Sequence, residues 1–280
     1  MPVALITGAS SGIGEATAIR LAREPDMALV LVARREERLR ALARELGRAS
    51  ILAVDLTDGD APARILTAVQ REHGELHMLV NNAGAAWRGT FAQTGAANVQ
   101  RNMALNFEAQ TRLTEALLPL LRATARASAM AERSRTTGSR NRLRLKAPAG
   151  RTSIVNVAST TARVSRAGSG GYSASKSALA SWSDALHLEE RPHGVHVGLV
   201  LPGFVKTEGF PAAELLARPL TRWIVSTPEL VAEAIMDAGP GGRTARHVPR
   251  GYWLAAAARI LAPALVRRAL RAGLLTAAAR

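Results

Sequence analysis

The chain runs to 280 residues, 48% of them hydrophobic, which is enough to bury the core of one large α/β domain or two small ones and argues against wholesale disorder. It holds no cysteine, which excludes disulfides, thiolate-bound metals and a cysteine nucleophile. The net charge of +15 sits in two blocks: residues 122–151 carry nine basic residues against one acid, Glu132, residues 243–280 carry eight arginines and no acid, and the rest is near neutral.

Short apolar runs alternate with helical periodicity along the chain. Residues 3–7 read as a first strand, and the helix that follows is stopped by Pro25. A second strand spans 28–33, and a second helix ends at Gly47. Strand, helix and strand follow at 50–55, 60–73 and 76–81, and a long helix is expected over 96–121. A fifth strand at 153–159, a helix starting near Tyr172, a sixth strand at 195–202 and a short seventh at 246–249 complete the series. Near-continuous apolar strands separated by helices predict a parallel sheet of about seven strands, covered on both faces.

Two segments break this rhythm. Residues 122–152 are small, polar and basic, and read as a flexible insertion ahead of the fifth strand. Residues 252–280 read as one or two alanine-rich helices parted by Pro263, with Arg267, Arg268 and Arg271 on one arc. They form a basic, moderately amphipathic extension to a domain spanning 1–251. No charged, apolar leader opens the chain, and no run of about 18 uncharged apolar residues occurs. Neither a secretory signal nor a simple spanning helix is expected, and the cytoplasm is the default compartment.

The first strand runs straight into "TGASSGIG", residues 7–14. Gly8 permits a tight turn, Gly12 lets the backbone approach a pyrophosphate, and Gly14 allows close packing of helix on strand. With Ser10, Ser11 and Ile13 these glycines form the expected phosphate cradle at a helix N-terminus. At the end of the second strand, where an acid would bind the ribose hydroxyls of NAD, stand Arg34 and Arg35. A guanidinium suits a 2′-phosphate instead, which points to NADP(H). Farther along, one of the chain's two tyrosines, Tyr172, lies four residues before one of its three lysines, Lys176, on what should be one helix face.

These segments occur in order with "VDLTD" (54–58), "NNAG" (81–84), "ALN" (104–106), "NVAST" (156–160), "YSASK" (172–176) and "PGFVKT" (202–207). Together they resemble the short-chain dehydrogenase/reductase superfamily, in its compact single-domain branch, over roughly residues 3–250. The resemblance implies a Rossmann-type doubly wound fold and an NADP(H)-dependent interconversion of a ketone and a secondary alcohol. It implies that Tyr172 is the general acid/base, its pKa lowered from about 10 by the neighbouring Lys176 cation. Lys176 would also reach the nicotinamide ribose, and Ser159 would hold the substrate oxygen. Asn106 would hold a water in a proton relay, with Asn102 as its competitor. Asp55 and Leu56 would flank the adenine. Asn82, Ala83 and Gly84 would lie beside the adenosine ribose and the cofactor's backbone. Pro202, Gly203, Val205 and Thr207 would embrace the nicotinamide.

Arg163 and Arg166 are placed near the substrate entrance. Residues 208–225, with Phe204, Phe210 and Trp223, are expected to form an apolar lid, favouring a lipophilic substrate: a 3-oxoacyl chain, or a steroid-like or polyketide-like ketone. The six histidines form no ligand pattern, so no metal is expected. By resemblance the chain should form a homodimer or homotetramer through the helices at 96–121 and 172–190. The basic C-terminal helix is read as packed on its own domain or across a dimer, with an anionic membrane or an acyl carrier protein as further partners. Nucleic acid is not expected, because the basic blocks lack interleaved aromatics. The alternative function is a non-catalytic NADP(H)-binding regulator or scaffold. Retention of both Tyr172 and Lys176 argues against it.

Overall fold

The computed structural model describes residues 1–136, 152–208 and 224–271. The first three strands are β1 (Val3–Thr7), β2 (Ala28–Ala33) and β3 (Ala49–Ala53), followed by β4 (Met78–Asn81), β5 (Ser153–Val157) and β6 (His196–Pro202). A short pair follows, β7 (Phe204–Val205) and β8 (Val225–Ser226), and then β9 (Ala245–Val248). Seven of them form one sheet in the order β3-β2-β1-β4-β5-β6-β9, every pairing parallel. The helices are α1 (Gly12–Leu21), α2 (Glu36–Leu46), α3 (Ala61–Glu72), α4 (Phe91–Met103) and α5 (Ala109–Thr136). They continue with α6 (Gly170–Glu190), α7 (Pro228–Ala238), α8 (Tyr252–Leu261) and α9 (Pro263–Arg271).

The strands read as apolar runs because both faces of the sheet are covered. Alternate residues of β1 and β2 enter opposite cores. Val3, Leu5, Val30 and Val32 pack with Ile65, Val69, Leu113, Leu117 and Leu186 from α3, α5 and α6. Ala4, Ile6, Leu29 and Leu31 pack with Ala18, Leu21, Leu39, Leu42, Val231 and Ile235 from α1, α2 and α7. The period of two in the strands and of three to four in the helices sorts each side chain to its layer. Chain direction across the sheet reverses between β1 and β4. That switch point opens a crevice at the carboxyl ends of the strands, where ligands bind in such folds.

Four features depart from the sequence reading. The helix expected over 96–121 is broken and longer. It begins at Phe91 behind a Thr90–Gln93 capping box, kinks at Gly95, passes through a π-helical turn at Ala104–Glu108 and continues to Thr136. Second, the first half of the segment expected to be a flexible insertion is therefore helical. Its buried face holds Thr124 and Ala125, Thr124 accepts a hydrogen bond from the Leu76 N–H at 3.1 Å, and Arg122 grips the buried Glu190 through two bonds of 2.6 and 2.8 Å. Small and polar composition concealed this because alanine and arginine are also strong helix formers. Residues 137–151 lie outside the described residues, as does most of the expected lid, 209–223. Third, helix α7 was not anticipated, although Thr227-Pro228-Glu229 is a regular N-terminal signature and Val231 and Ile235 are buried one turn apart. The β7–β8 pair was also unforeseen. Among the described residues, no helix is long and apolar enough to cross a membrane.

Candidate active site

The loops leaving the carboxyl ends of β1 to β6, with β9 and α8, enclose one cavity of about 1050 Å³. At one end the β1–α1 loop bends through Gly8, at φ +67°, where an added Cβ would stand 2.9 Å from Ala83 Cα. Any side chain there would push the β4 loop away. At Gly14 an added Cβ would collide with the Gly8 carbonyl and stand 2.7 Å from Asn82 Nδ2, so Gly14 lets α1 close on the loop rather than line the cavity. Asn82 Nδ2 donates to Thr7 O at 2.9 Å, and Thr7 Oγ1 accepts from the Asn82 and Ala83 N–H groups at 3.0 Å each. These bonds tie the tips of β1 and β4 together. Ser11 stands at the N-cap of α1 without capping it, so the first N–H groups of the helix face the cavity unpaired by that side chain.

The arginines after β2 sit on the same rim. The Arg35 guanidinium donates to Ser10 Oγ at 3.1 and 3.2 Å, to Ser11 Oγ at 2.6 Å and to Glu208 at 3.2 Å. Arg38, which the sequence reading passed over, donates to Glu208 at 2.7 and 2.8 Å. These two arginines hold the Glu208 carboxyl below its ordinary range. Arg34 is 72% exposed and reaches Asp55 at 3.4 Å. Burial works upward on Asp55, but the N–H and hydroxyl of Thr57, at 3.0 and 2.7 Å, and Arg34 hold the carboxyl low. Leu56 and Val54 complete this wall.

At the other end stand Ser159, after β5, and Tyr172 and Lys176, in the first turns of α6. The Ser159 hydroxyl lies beside the Tyr172 phenol and acts on it, accepts from Thr161 N and Oγ1 at 3.2 and 3.0 Å, and donates to Pro202 O at 3.4 Å. Lys176 is 3% exposed and donates to Val157 O at 2.8 Å; burial lowers its pKa to about 7. Burial also pushes the Tyr172 phenol up, and Ser159, Arg88 and Arg166 pull it back only in part. The expected lowering by Lys176 is therefore not what the structure displays. The ammonium is itself desolvated, and the cations acting on the phenol are two arginines.

Behind Lys176, Asn106 occupies the π-helical turn, a distortion frequent at functional sites. Its Oδ1 accepts from Ala85 N at 2.9 Å, and its Nδ2 donates to Ala85 O at 2.9 Å and Ser175 Oγ at 3.1 Å. A Cβ on Gly84 would stand 2.8 Å from Asn106 Oδ1 and 3.3 Å from Lys176 Nζ, so both side chains converge on that glycine. Asn102 lies one step farther back, bonded to Asn98 and Trp87 O. Of the residues singled out from the sequence, Gly14, Asn102 and Asn106 lie behind the cavity wall, and Arg163, expected near the substrate entrance, lies outside it, 3.4 Å from Asp184. The cavity is lined by Gly8, Ser10, Ser11, Gly12, Ile13, Arg34, Arg35, Asp55, Leu56, Asn82, Ala83, Gly84, Ser159, Arg166, Tyr172, Lys176, Pro202, Gly203, Phe204, Val205 and Thr207.

The sequence reading missed much of the wall beyond Tyr172. Arg88, Val164, His247, Tyr252, Leu254, Ala255 and Ala256 belong to it, beside Ile224 from the expected lid. Tyr252 donates to Ile224 O at 3.1 Å, and its ring fills the space a side chain at Gly203 would need. Burial raises its pKa to about 12. The segment set apart as a C-terminal extension thus furnishes part of the cavity. Tyr252's rarity was the one available signal, but no motif surrounds it. Among the described residues no group of three His, Cys, Asp or Glu side chains could hold a metal.

The glycine turn, the uncapped helix start and the switch-point crevice fit a dinucleotide, with paired hydroxyls and a lysine at the far end. They define a nucleotide-binding α/β protein of the oxidoreductase type. The chain belongs to the short chain dehydrogenase family, whose model matches residues 2–135 and 139–214. It is 32% identical over 238 residues to the ketoacyl reductase HetN of Nostoc sp., covering 84% of this chain and 74% of that protein. It is 30% identical over 275 residues to the 3-ketodihydrosphingosine reductase of Bos taurus, covering 92% and 75%. A solved short-chain dehydrogenase from Streptomyces avermitilis superposes with a TM-score of 0.72 at 26% identity, covering 98% of this chain and 97% of the other. The chain is accordingly a ketone/alcohol oxidoreductase using a nicotinamide cofactor.

Proposed function

We propose that the protein reduces the ketone of an aliphatic 3-oxo compound to a secondary alcohol with NADPH. The observation that carries this reading is the cavity itself. Arg35, braced by Ser10 and Ser11, stands at one end, and the Ser159–Tyr172 hydroxyl pair over buried Lys176 stands at the other. The β1–α1 loop and α1 would hold the pyrophosphate. Arg35, with Arg38, would hold the 2′-phosphate in place of Glu208. Asp55 and Leu56 would flank the adenine. When bound, the dinucleotide supplies the hydride or takes it up.

In reduction Ser159 holds the carbonyl oxygen, and Tyr172 gives it the phenolic proton. The raised pKa keeps that proton on the phenol near neutrality, which suits a donor. Lys176, with the Asn106 side chain set behind it, would help restore the charge and proton balance at Tyr172; Asn106 would act there as a positioning residue. Beyond Tyr172, the walls are built from Val164, Phe204, Ile224, Tyr252 and Leu254. Such walls suit an alkyl chain, in keeping with the keto substrates in the relatives' names. Assembly as a dimer or tetramer fits Met130 on α5 and Leu188 on α6, which are 71% and 70% exposed. Ile260, Leu261 and Leu265 are also exposed, beside Arg259, Arg267 and Arg268, which fits contact with an anionic membrane surface.

The test is to incubate the protein with NADPH and a lipid-rich metabolite extract, then search by mass spectrometry for pairs differing by two hydrogens. A pair dependent on Tyr172 names the substrate. No such pair with 3-oxo lipids present, in protein shown to bind NADPH, would favour the regulator alternative.

A further inference from the structure

Arg166 lines the cavity on the substrate side of Tyr172. Its backbone is pinned: the Arg166 carbonyl accepts from Ser169 Oγ at 2.8 Å and from Ser169 N at 3.2 Å, three residues before Tyr172. Its guanidinium lies over the Phe204 ring, 4.7 Å from the centroid. The charged groups that act on it are Arg88, a like charge, and the two phenols Tyr172 and Tyr252. Burial, and then Arg88, push its pKa down.

What is missing is an acid. Arg34, Arg35, Arg38 and Arg163 each have a carboxylate within 3.4 Å, whereas Arg166 takes part in no ion pair among the described residues. A partly buried cation beside a like charge costs free energy that a bound anion would offset. With one face stacked on an aromatic ring, a guanidinium still presents its edge N–H groups for two parallel bonds to a carboxylate or phosphate.

We infer that Arg166 recognises an anionic group on the substrate close to the reacting ketone, so that the preferred substrates are oxo acids carrying an apolar chain. This rests on the ketone-reductase reading and narrows it from lipophilic ketones to amphiphilic ones. The carboxylate is the anion favoured because Arg166 acts on the Tyr172 phenol by its charge and lines the same cavity, so a compact acid can meet the guanidinium while its ketone meets the phenol. A phosphate in the same place shares its chemistry and is a separate arm of the test.

The experiment uses 3-oxononanoate, freshly prepared, its methyl ester and the corresponding oxo-alkyl phosphate. Binding is measured first, by calorimetry on protein saturated with NADP⁺, where no reduction can occur. The acid is expected to bind at least about tenfold more tightly than the ester, the ratio one charge-assisted bidentate pair supplies. Arg166→Gln should bring that ratio close to one, and Arg166→Lys should keep part of it. A phosphate bound better than the carboxylate would overturn the choice of oxo acids. Equal binding of acid and ester by the wild type, or a preference that survives in Arg166→Gln, would overturn the anion site. The same ratios are then read as kcat/KM with NADPH. If Arg166→Gln slows acid and ester alike and moves both pH profiles, Arg166 acts through Tyr172 and the inference is wrong. If no probe is reduced, the ketone-reductase reading fails while the binding arm still decides the anion site. Should Arg166→Gln fail to melt cooperatively, Arg166→Met carries the same comparison.

Discussion

Replacing Arg35 by alanine isolates the proposed preference for NADP(H). The side chain spans Ser10, Ser11 and Glu208, so a 2′-phosphate entering there would exchange the exposed Glu208 carboxylate for a dianion held on the same guanidinium. Hydrogen bonds to charged groups contribute about 1.5–3 kcal/mol. Arg35 is 45% exposed, which screens the interaction and places the loss near the lower end, about 1.5–2 kcal/mol. That corresponds to roughly 10- to 30-fold weaker NADPH binding. NADH has no 2′-phosphate, so its affinity should move by less than about threefold on the same argument. Titration of nucleotide fluorescence with wild type and Arg35→Ala, at fixed ionic strength, measures both. Equal losses for the two nucleotides, or a wild type that binds NADH more tightly than NADPH, would refute the 2′-phosphate assignment.

Glu208→Gln should tighten NADPH binding without altering NADH binding, since the carboxylate competes for Arg35 and Arg38; an unchanged NADPH affinity would count against that competition. Gly84→Ala places a methyl 2.8 Å from Asn106 Oδ1, which is fixed by Ala85, so thermal melting should show a loss of about 1–3 kcal/mol, and activity should fall with it. Lys176 has a folded pKa of about 7, below its unfolded value, so the unfolded chain binds the extra proton across the interval between them. Stability of the ligand-free protein should therefore rise with pH from about 7 to 9, by up to roughly 1.4 kcal/mol per unit, and Lys176→Met should flatten that rise in denaturant titrations. Arg122→Ala leaves Glu190, 1% exposed, without its partner and should cost about 3 kcal/mol, the lower end for a broken buried pair because Arg122 is itself 34% exposed. A change below about 0.5 kcal/mol in chemical denaturation would show that the pair contributes little.

The sheet was legible because β1, β2 and most of β6 are near-continuous apolar runs and stops such as Pro25 and Gly47 punctuate the segments between strands. The glycine loop, Ser159, Tyr172 and Lys176, which the fold brings to one cavity, stand out in the sequence because they fall at fixed offsets after β1 and β5. Asn106 was singled out from the sequence, but the π-helical turn that carries it was not, since such turns carry no composition of their own. The helical run past Leu121 looked like a linker because its surface is alanine, serine and arginine. The Arg122–Glu190 pair, the Leu76 N–H bond to Thr124 and the burial of Ala125 reveal that it packs. The substrate wall was the least readable part. Arg88 lies on the loop after β4, whereas His247 lies on β9 and Tyr252 opens α8, and Arg88 meets the other two only in the fold. The direction of the Tyr172 shift was also beyond sequence reading, because it depends on how far burial outweighs nearby cations.

The most direct measurement is NADPH oxidation by wild type and Tyr172→Phe with an aliphatic 3-oxo thioester, each protein first shown to bind NADPH with similar affinity. The expected result is turnover by the wild type and a kcat lower by about 10²–10⁴ in the variant, the range for loss of a positioned general acid. A variant that keeps its kcat within about tenfold would contradict the assignment of Tyr172 as the proton donor.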